Sequence, residues 1–397
     1  MADRTRAFHV VAESTYSTDP DADGSDYLPL HSFDVGYPND GLELEDGEFK
    51  TGRNEASEEI PNGDGGTIDV GWYAQGFTTS AGDAASVPTA DGVDLMLNNA
   101  LGTPITYIGE GVSTGSTTGN VVLDAVLANS EARIPIGLYV AASTRTRFRA
   151  VASVAGAPTY TIDTAGPVWE AAPLTGDNTW GARVWYQRDE LATAGATLSA
   201  VGEIDSNIHT MTGVRHRSLS LEAPARKSAR FKSTLFADDW AENQGATKSS
   251  LTQNTTWPYP AIGQLAGVWW GDTLIQTSKT MIDFGISSAP MLSTYGTNGR
   301  SDDQIISIDP VITVDIIHAA SQAFHADRRA GTIRPVLVQI GGLSTTTRAN
   351  AFCFYAARAQ LTEVGWSNDQ GYTRRSLKIK VVGSGLASSL RWSFART

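Results

Sequence analysis

The sequence predicts a mainly β protein with one short α-helix, and three observations support this class. Apolar residues make up 41% of the 397-residue chain, which is enough to fill a large core. Most segments beyond residue 130 that read as regular structure alternate apolar with polar residues or are rich in β-branched residues, as strands are. The 39 glycines and 16 prolines recur between these segments as turn signals.

The predicted elements begin with an acidic, turn-rich stretch, which we interpret as an arm and a loop over residues 1–32. Residues 67–77 predict a strand. Residues 91–102 predict the helix, because Asp91 is a suitable N-cap and Gly102 a suitable stop. No other segment has so clear a helix pattern.

Strand patterns dominate the rest of the chain. Two of them, residues 214–221 and 229–236, are close enough in sequence to predict a hairpin. Pro310 inside a β-branched run indicates an edge strand or a bulge. Residues 150–210 are harder to place and are consistent with an inserted lobe. The remaining predicted strands cover residues 136–149, 305–317, 333–340, 351–357 and 376–382.

Charge is unevenly distributed along the chain, whose formal net charge is −13. Residues 1–100 contain 20 acidic and 4 basic residues, whereas no acid follows Asp369. Contacts between copies of the chain would use both the acidic and the basic residues, although surface charge that keeps the protein in solution is an equal alternative. The predicted contact residues are Glu43, Glu45, Asp46, Glu48, Glu58, Glu59, Arg374, Arg375, Arg391 and Arg396.

Several classes of site are disfavoured. The single cysteine, Cys353, excludes an intramolecular disulfide and a Cys-based metal centre, and the six histidines lack metal-ligand spacing. Asp19, Asp21, Asp23 and Asp26 resemble the first half of a calcium-binding loop, but no bidentate Glu follows, so an exposed acidic turn is the stronger interpretation. We expect no cofactor.

No run approaches the roughly 18 apolar residues of a membrane span, so we expect a soluble protein without a membrane partner.

One string resembles a catalytic motif. Residues 111–115 match the G-x-S-x-G pattern, which would make Ser113 an exposed nucleophile on a strand-to-helix turn. Here no helix pattern follows, and a flexible loop is favoured. We therefore expect a protein that is not an enzyme, and keep a hydrolase using Ser113 as a third alternative.

Basic residues alternate in some of the predicted strands, with Arg145, Arg147 and Arg149 at spacing two. Such a face could bind nucleic acid, but the acidic net charge favours pairing with acidic surface on a neighbouring subunit. The ten tryptophans are typical of core or interface anchors, with a carbohydrate-binding face as an alternative. Further basic residues of this kind are Arg215, Arg217, Arg226, Lys227, Arg230 and Lys232.

The order and spacing of several segments resemble the tail tube proteins, or major tail proteins, of long-tailed bacteriophages. The similar segments are residues 50–72 followed by 95–102, residues 212–236, and residues 306–382. The resemblance implies a tail-tube-type β-sandwich or barrel flanked by a helix, over residues 33–382. Residues of about 120–205 have no counterpart and form a possible outer insertion, and residues 383–397 form a basic C-terminal arm.

The same resemblance implies a virion structural protein that self-assembles into stacked hexameric rings, with a trimer of duplicated lobes as an alternative. It implies localisation in the virion tail after assembly in the host cytoplasm, and tape-measure, tail terminator and distal tail proteins as partners. Genomic DNA would pass through the lumen without specific binding. The alternative function is a carbohydrate-binding or adhesive β protein of a virion or cell surface.

A lumen for a polyanion should be neutral to acidic, because a cationic wall would bind phosphates. Ser307, Asp309, Thr313 and Asp315 are hydrophilic and spaced by even numbers, so we expect them on one face of one strand. They are the candidate lumen residues. An ordinary solvent-facing sheet surface is the alternative interpretation.

Overall fold

The structure is a computed structural model of the 397-residue chain. It describes residues 6–14, 28–35, 66–77, 90–125, 127, 134–140, 145–154, 158–169, 171–175, 177–188, 196–204, 207–225, 227–244, 267–292, 300–317, 324–341, 351–369, 372–383 and 390–397.

The described residues contain two helices, α1 (Gly92–Leu101) and α2 (Phe324–Ala330). The first strands are β1 (Arg6–Ala12), β2 (Leu30–Val35), β3 (Gly66–Tyr73), β4 (Ile105–Tyr107), β5 (Asn120–Val122), β6 (Pro135–Val140), β7 (Arg145–Val154), β8 (Thr159–Ile162), β9 (Asn178–Thr179), β10 (Ala182–Arg188), β11 (Leu198–Ile204) and β12 (Asn207–Pro224). The following strands are β13 (Arg230–Ala237), β14 (Asp239–Gln244), β15 (Gly267–Trp270), β16 (Thr273–Ile275), β17 (Thr277–Asp283), β18 (Ile286–Leu292), β19 (Arg300–Ile308), β20 (Val311–Ile317), β21 (Ile333–Gly341), β22 (Ala351–Asp369), β23 (Tyr372–Val381) and β24 (Leu390–Arg396).

Most strands belong to one continuous antiparallel sheet that folds over itself into two layers. The front sheet has the order β2-β3-β13-β12-β17-β20-β23-β22. The back sheet has the order β4-β10-β24-β22-β21-β15-β16. The long strand β22 belongs to both, because its first half pairs with β24 and its second half with β23. The first half of β12 pairs with β11 and β14, and β11 pairs with β1.

Aromatic side chains join the two layers in the main core. The Phe231 ring on the front sheet lies 5.7 Å from Phe352 and 6.3 Å from Phe394 on the back sheet. Phe284, which follows β17, lies 6.0 Å from Trp392 on β24. These side chains are almost fully buried, so their contacts remove a large apolar area from water. The predicted mainly β class with a flanking helix is confirmed.

A lobe covers the other side of the back sheet. It contains a separate sheet in the order β5-β8-β7-β6-β9, and its side chains form a second core with the back sheet. Ile136 and Phe148 from the lobe pack in this core with Leu337 and Cys353 from the back sheet. The lobe lies within the predicted insertion of residues 120–205, but that segment also includes β10 and β11, which pair with strands of the main body.

Helix α1 forms as its sequence signals predict. The Asp91 side chain accepts a hydrogen bond from the Asp94 backbone N–H, and Gly102 follows the last turn with φ of 91°. The helix contacts β1, β10 and β12. Trp185 Nε1 on β10 donates to Asn98 Oδ1 at 2.9 Å, so a side-chain hydrogen bond also holds the helix on the sheet. Helix α2 was not predicted.

Two predicted strands are each divided in two. Residues 136–149 belong to the hairpin of β6 and β7. Residues 305–317 belong to β19 and β20, which lie in different sheets, and the break falls at Asp309 and Pro310. Proline cannot donate a ladder hydrogen bond, so Pro310 ends one pairing and lets the chain enter the next. The predicted hairpin of β12 and β13 is confirmed.

The two predicted arms contain strands of the folded body. Phe8 and Val10 on β1 are fully buried, so residues 1–32 are not only an arm and a loop. Strand β24 lies between β10 and β22, with Trp392 and Phe394 in the main core. Residues 390–396 therefore complete the back sheet, which differs from the predicted basic C-terminal arm.

Candidate assembly surfaces

Two candidate lumen residues lie on the outer side of the front sheet. Strand β20 lies between β17 and β23, with Ile312 and Val314 in the core and Thr313 and Asp315 half-buried on the opposite side. Polar residues from neighbouring strands share this side, which we call the polar face: Asp69, Ser218, Ser220, Glu222, Arg230, Lys232, Thr234, Lys279, Asp283, Thr313, Asp315, Glu363, Arg374, Lys378 and Lys380.

The polar face contains five acidic and six basic residues, and four of the basic residues lie within ion-pair distance of an acid. Glu222 carboxylate oxygens lie 3.0 Å from Arg230 Nη2, 3.2 Å from Lys232 Nζ and 2.8 Å from Lys279 Nζ. Burial favours the protonated form of Glu222, but the hydrogen bonds from Lys279, Arg230 and Lys232 outweigh it and lower its pKa to about 2. The carboxylate is therefore charged at neutral pH.

A shallow hollow of about 240 Å³ lies on the polar face. The Asp69 carboxylate at its edge accepts a hydrogen bond from Thr234 Oγ1 at 2.7 Å. Aromatic platforms, which favour sugar binding, do not contribute to its described lining. The lining residues are Ser32, Asp69, Val70, Ser218, Ser220, Lys232, Ser233 and Thr234.

The other two candidate lumen residues lie elsewhere. Ser307 pairs with Ser287 in the hairpin of β18 and β19, which is a separate two-stranded sheet. Asp309 lies between β19 and β20, where its Oδ1 accepts a hydrogen bond from Arg391 Nη2 at 2.6 Å. The four candidates therefore do not share one strand face, because the chain changes sheets at Pro310.

The β18–β19 hairpin carries exposed apolar side chains. Ile306 is the extra residue of a bulge opposite Ser287 and Ser288, and it is 51% exposed. Met291 on the other strand is 42% exposed. The inner side of the hairpin packs on the main core through Ile305 and Ile308, whereas Ile306 and Met291 lie on its outer side, where another molecule could cover them.

Arg396, a candidate for contacts between copies, lies inside the folded body. Its Nη1 lies 2.7 Å from Asp91 Oδ1 and 2.6 Å from Asp94 Oδ1, and its Nε donates to the Gln75 carbonyl at 2.9 Å. Burial opposes its charge, but Asp91 and Asp94 hold the Arg396 pKa above its ordinary value. Arg396 therefore joins the C-terminal strand to the start of α1 and is not a surface contact.

Some of the other predicted contact residues have partners within the chain, and others lie outside the described residues. Arg391 pairs with Asp309 within the chain. Arg374 Nη1 lies 3.5 Å from Ser278 Oγ, and Arg375 lies at the exposed Trp366. The acidic candidates Glu43, Glu45, Asp46, Glu48, Glu58 and Glu59, and the calcium candidates Asp19, Asp21, Asp23 and Asp26, lie outside the described residues.

Trp366 is the centre of a surface that the sequence did not predict. It is 56% exposed, whereas the other described tryptophans are buried or half-buried. The Arg375 guanidinium carbon lies 4.5 Å from the Trp366 ring centroid, and the His325 ring stacks at 6.5 Å. Arg328 and Arg329 follow His325 by three and four residues on α2, so they share its side of the helix. We call these five residues the basic end.

Three of the predicted basic strand residues are engaged within the fold, whereas Arg226 and the side chains of Arg145 and Arg147 lie outside the described part of the structure. Arg149 is buried between Trp169 and Trp269, with its guanidinium carbon 5.4 and 5.5 Å from the two ring centroids. Arg149 Nε also donates to the Val168 carbonyl at 2.7 Å. Arg215 is buried as well, and Arg217 lies over the Phe236 ring at 4.8 Å. These cations stabilise the fold and are not arranged as a phosphate-binding surface.

Ser113 lies in a turn closed by backbone hydrogen bonds. Its N–H donates to the Val122 carbonyl at 2.8 Å, and the next described helix begins only at Phe324. This geometry differs from the sharp strand-to-helix turn that exposes a catalytic serine. Within the described residues, no group of three or more His, Cys, Asp or Glu side chains could hold a metal ion.

A buried Ser–His pair was also missed by the sequence analysis. Ser233 Oγ lies 2.6 Å from His216 Nδ1 and 2.6 Å from the Ser218 carbonyl oxygen. The carbonyl can only accept, so the hydroxyl proton is directed there and His216 donates to the hydroxyl. Burial lowers the His216 pKa to about 3. This arrangement does not activate Ser233 as a nucleophile.

No protein-family model matches the sequence, and no curated protein matches it. Neither helix of the described residues is long and apolar enough to cross a membrane.

Proposed function

We propose that this chain is a virion structural protein that self-assembles into stacked rings, forming the tail tube of a long-tailed bacteriophage. The observation that carries the proposal is the β18–β19 hairpin. It is a two-stranded sheet that packs on the main core through Ile305 and Ile308 and leaves Ile306 and Met291 exposed on its outer side. Docking on another subunit would remove these side chains from water and stabilise the ribbon.

The polar face supports the role of a conduit. Glu222 on β12 pairs with three cations of β13 and β17, and Lys378 Nζ lies 3.6 Å from Glu363 Oε2. Protein cations bind DNA by replacing the counterions of its phosphates, so a face whose bases are nearly balanced by acids binds DNA weakly. A polyanion can pass such a wall without being held. Thr313 and Asp315 are the candidate lumen residues that lie on it.

The fold agrees with what the resemblance implies. A β-sandwich with α1 packed at its side is the arrangement expected of a tail tube subunit. The lobe on the back sheet lies on the opposite side from the polar face, which suits an insertion on the outside of a tube. The subunit would then present the polar face to the lumen.

Negative-stain electron microscopy of the purified full chain tests the proposal. We expect hollow tubes with a regular axial repeat. The double substitution Met291→Asp and Ile306→Asp should abolish the tubes and leave folded subunits, judged by circular dichroism. Leu274→Asp is the matched control, because Leu274 is 53% exposed on β16, outside the hairpin. Dispersed subunits from the unmodified chain, or tubes from the double variant, would contradict the proposal.

The exposed Trp366 favours a second candidate function, a carbohydrate-binding or adhesive β protein. An exposed indole can stack on a sugar ring. Here Arg375 and His325 lie against the ring and limit the area that a sugar could cover. A glycan array would decide between the two: binding that is lost in Trp366→Ala, from a chain that forms no tubes, would favour the second function.

A further inference from the structure

We propose that the basic end docks an acidic segment of a second copy of this chain, residues 40–59. This inference rests on the self-assembly proposed above and identifies one contact that joins two copies. The basic end comprises Trp366, Arg375, His325, Arg328 and Arg329. The segment is defined by its sequence and lies outside the described residues.

The positive charge of the basic end is not neutralised by acidic partners among the described residues. Within the described residues, Arg328, Arg329 and Arg375 form no ion pair, whereas Arg230, Arg391 and Arg396 each pair with a carboxylate. The nearby Asp327 is already engaged, because its Oδ2 accepts from Trp270 Nε1 at 3.0 Å and lies 3.4 Å from Arg334 Nε. The basic end therefore retains positive charge that an external carboxylate can neutralise.

The geometry at Trp366 suits a ligand that is both acidic and apolar. Arg375 lies over the ring, and its buried Nε has no hydrogen-bond partner in the described structure. A guanidinium stacked on an indole keeps its N–H edge available for bidentate binding of a carboxylate. The exposed part of the Trp366 ring adds apolar surface next to that edge.

Residues 40–59 have the matching chemistry. The segment contains eight acidic and two basic residues, the reverse of the basic end. Leu42 and Leu44 alternate with Glu43 and Glu45, so an extended chain would place leucines on one side and carboxylates on the other. The leucines of such a ligand can cover Trp366 while its carboxylates pair with the arginines.

The sheet order favours a second copy as the source of this segment. Residues 40–59 connect β2 and β3 in the sequence, and these two strands form one edge of the front sheet, whereas Trp366 lies on β22 at the other edge. Seven strand spacings separate these edges, about 34 Å along the sheet. The chain from Val35 to Glu43 spans at most about 29 Å when fully extended, so Glu43 of the same chain falls short of Trp366. Asp46 could span about 40 Å, but only with the whole connection fully extended, whereas a neighbour placed edge to edge meets Trp366 without stretching the segment.

A charge-exchange experiment on the full chain tests the contact. The first variant carries Arg328→Glu, Arg329→Glu and Arg375→Glu, and the second carries Glu43→Lys, Glu45→Lys and Asp46→Lys. We expect each variant alone to self-associate at least about tenfold more weakly in sedimentation velocity, because like charges then oppose each other. An equimolar mixture should restore association, since each reversed surface meets its complement.

The matched control reverses three exposed lysines away from the basic end: Lys227→Glu, Lys378→Glu and Lys380→Glu. It should associate like the unmodified chain, and circular dichroism should show that all variants are folded. Full association of the first two variants alone, or no recovery on mixing, would overturn the inference while leaving tube formation by the unmodified chain intact. Charge-exchange recovery in a chain that forms no tubes would instead support the contact and contradict the tube.

Discussion

Arg396 and Arg375 both lie in the acid-free part of the sequence after Asp369, yet their surroundings are opposite. Arg396 is fully buried and contacts two carboxylates from the start of α1. Arg375 lies at an exposed tryptophan and forms no ion pair within the described residues. A basic stretch of sequence can therefore supply both a buried ion pair and a cation on the surface. The fold, and not the charge count, decides which role each residue has.

Removal of the buried guanidinium should have the largest effect on stability. Arg396→Gln would leave the Asp94 carboxylate buried with only Arg183, whose Nη1 lies 3.2 Å away. We expect the free energy of unfolding to fall by about 3–5 kcal/mol, as when one partner of a buried ion pair is lost. Urea denaturation followed by tryptophan fluorescence measures this loss.

Arg391→Gln is the control for that measurement. Arg391 pairs with the partly exposed Asp309, so we expect a loss of about 0–1 kcal/mol. Similar losses of unfolding free energy for Arg396→Gln and Arg391→Gln would mean that burial does not decide how much each arginine stabilises the fold.

Glu222 on the polar face should have an intermediate, pH-dependent effect. Its folded-state pKa of about 2 lies below the ordinary value of 4.5, so its stabilising contribution is present above about pH 4.5 and is lost as the pH falls towards 2. Glu222→Gln should lower the free energy of unfolding by roughly 1–2 kcal/mol at pH 7, allowing for solvent screening. The difference from the unmodified chain should disappear near pH 2 in urea titrations.

Glu363→Gln is the matched variant for Glu222, because Glu363 pairs with one lysine at 3.6 Å and its side chain is 63% exposed. We expect little change in stability at either pH. A pH-independent loss in Glu222→Gln would show that packing, and not charge, makes this residue stabilising.

Arg375→Gln should have the smallest effect on the isolated subunit. An exposed cation–π contact contributes about 0.5–1 kcal/mol, so the free energy of unfolding should change by no more than that. Self-association should fall nevertheless, because the basic end loses a cation. A large loss of stability in urea denaturation would show that Arg375 acts as a structural residue, as Arg396 does.

Local signals in the sequence predicted the local elements. Asp91 and Gly102 predicted the limits of α1, because caps act over a few residues. The same Asp91 also binds Arg396, 305 residues later in the chain, and no local pattern encodes that contact. Long-range strand pairing is likewise the reason why residues 390–396 form β24 and not the predicted basic arm.

The candidate surfaces were predicted less well than the elements. Period-two spacing placed Thr313 and Asp315 on one face, as the structure has them, but it could not locate the change of sheet before them. The sequence also gives no signal that Trp366 is exposed while Trp392 is buried, since both follow apolar or alternating patterns. Exposure at the end of a sandwich depends on where its two layers stop facing each other.

The position of β24 between β10 and β22 has a consequence for the timing of synthesis. Every other strand of the back sheet precedes β24 in the chain. Until a ribosome has released residues 390–396, the facing edges of β10 and β22 lack their hydrogen-bonding partner, and the main core lacks Trp392 and Phe394. The back sheet therefore becomes complete only after residues 390–396 have been translated, although the other strands of both layers are already available.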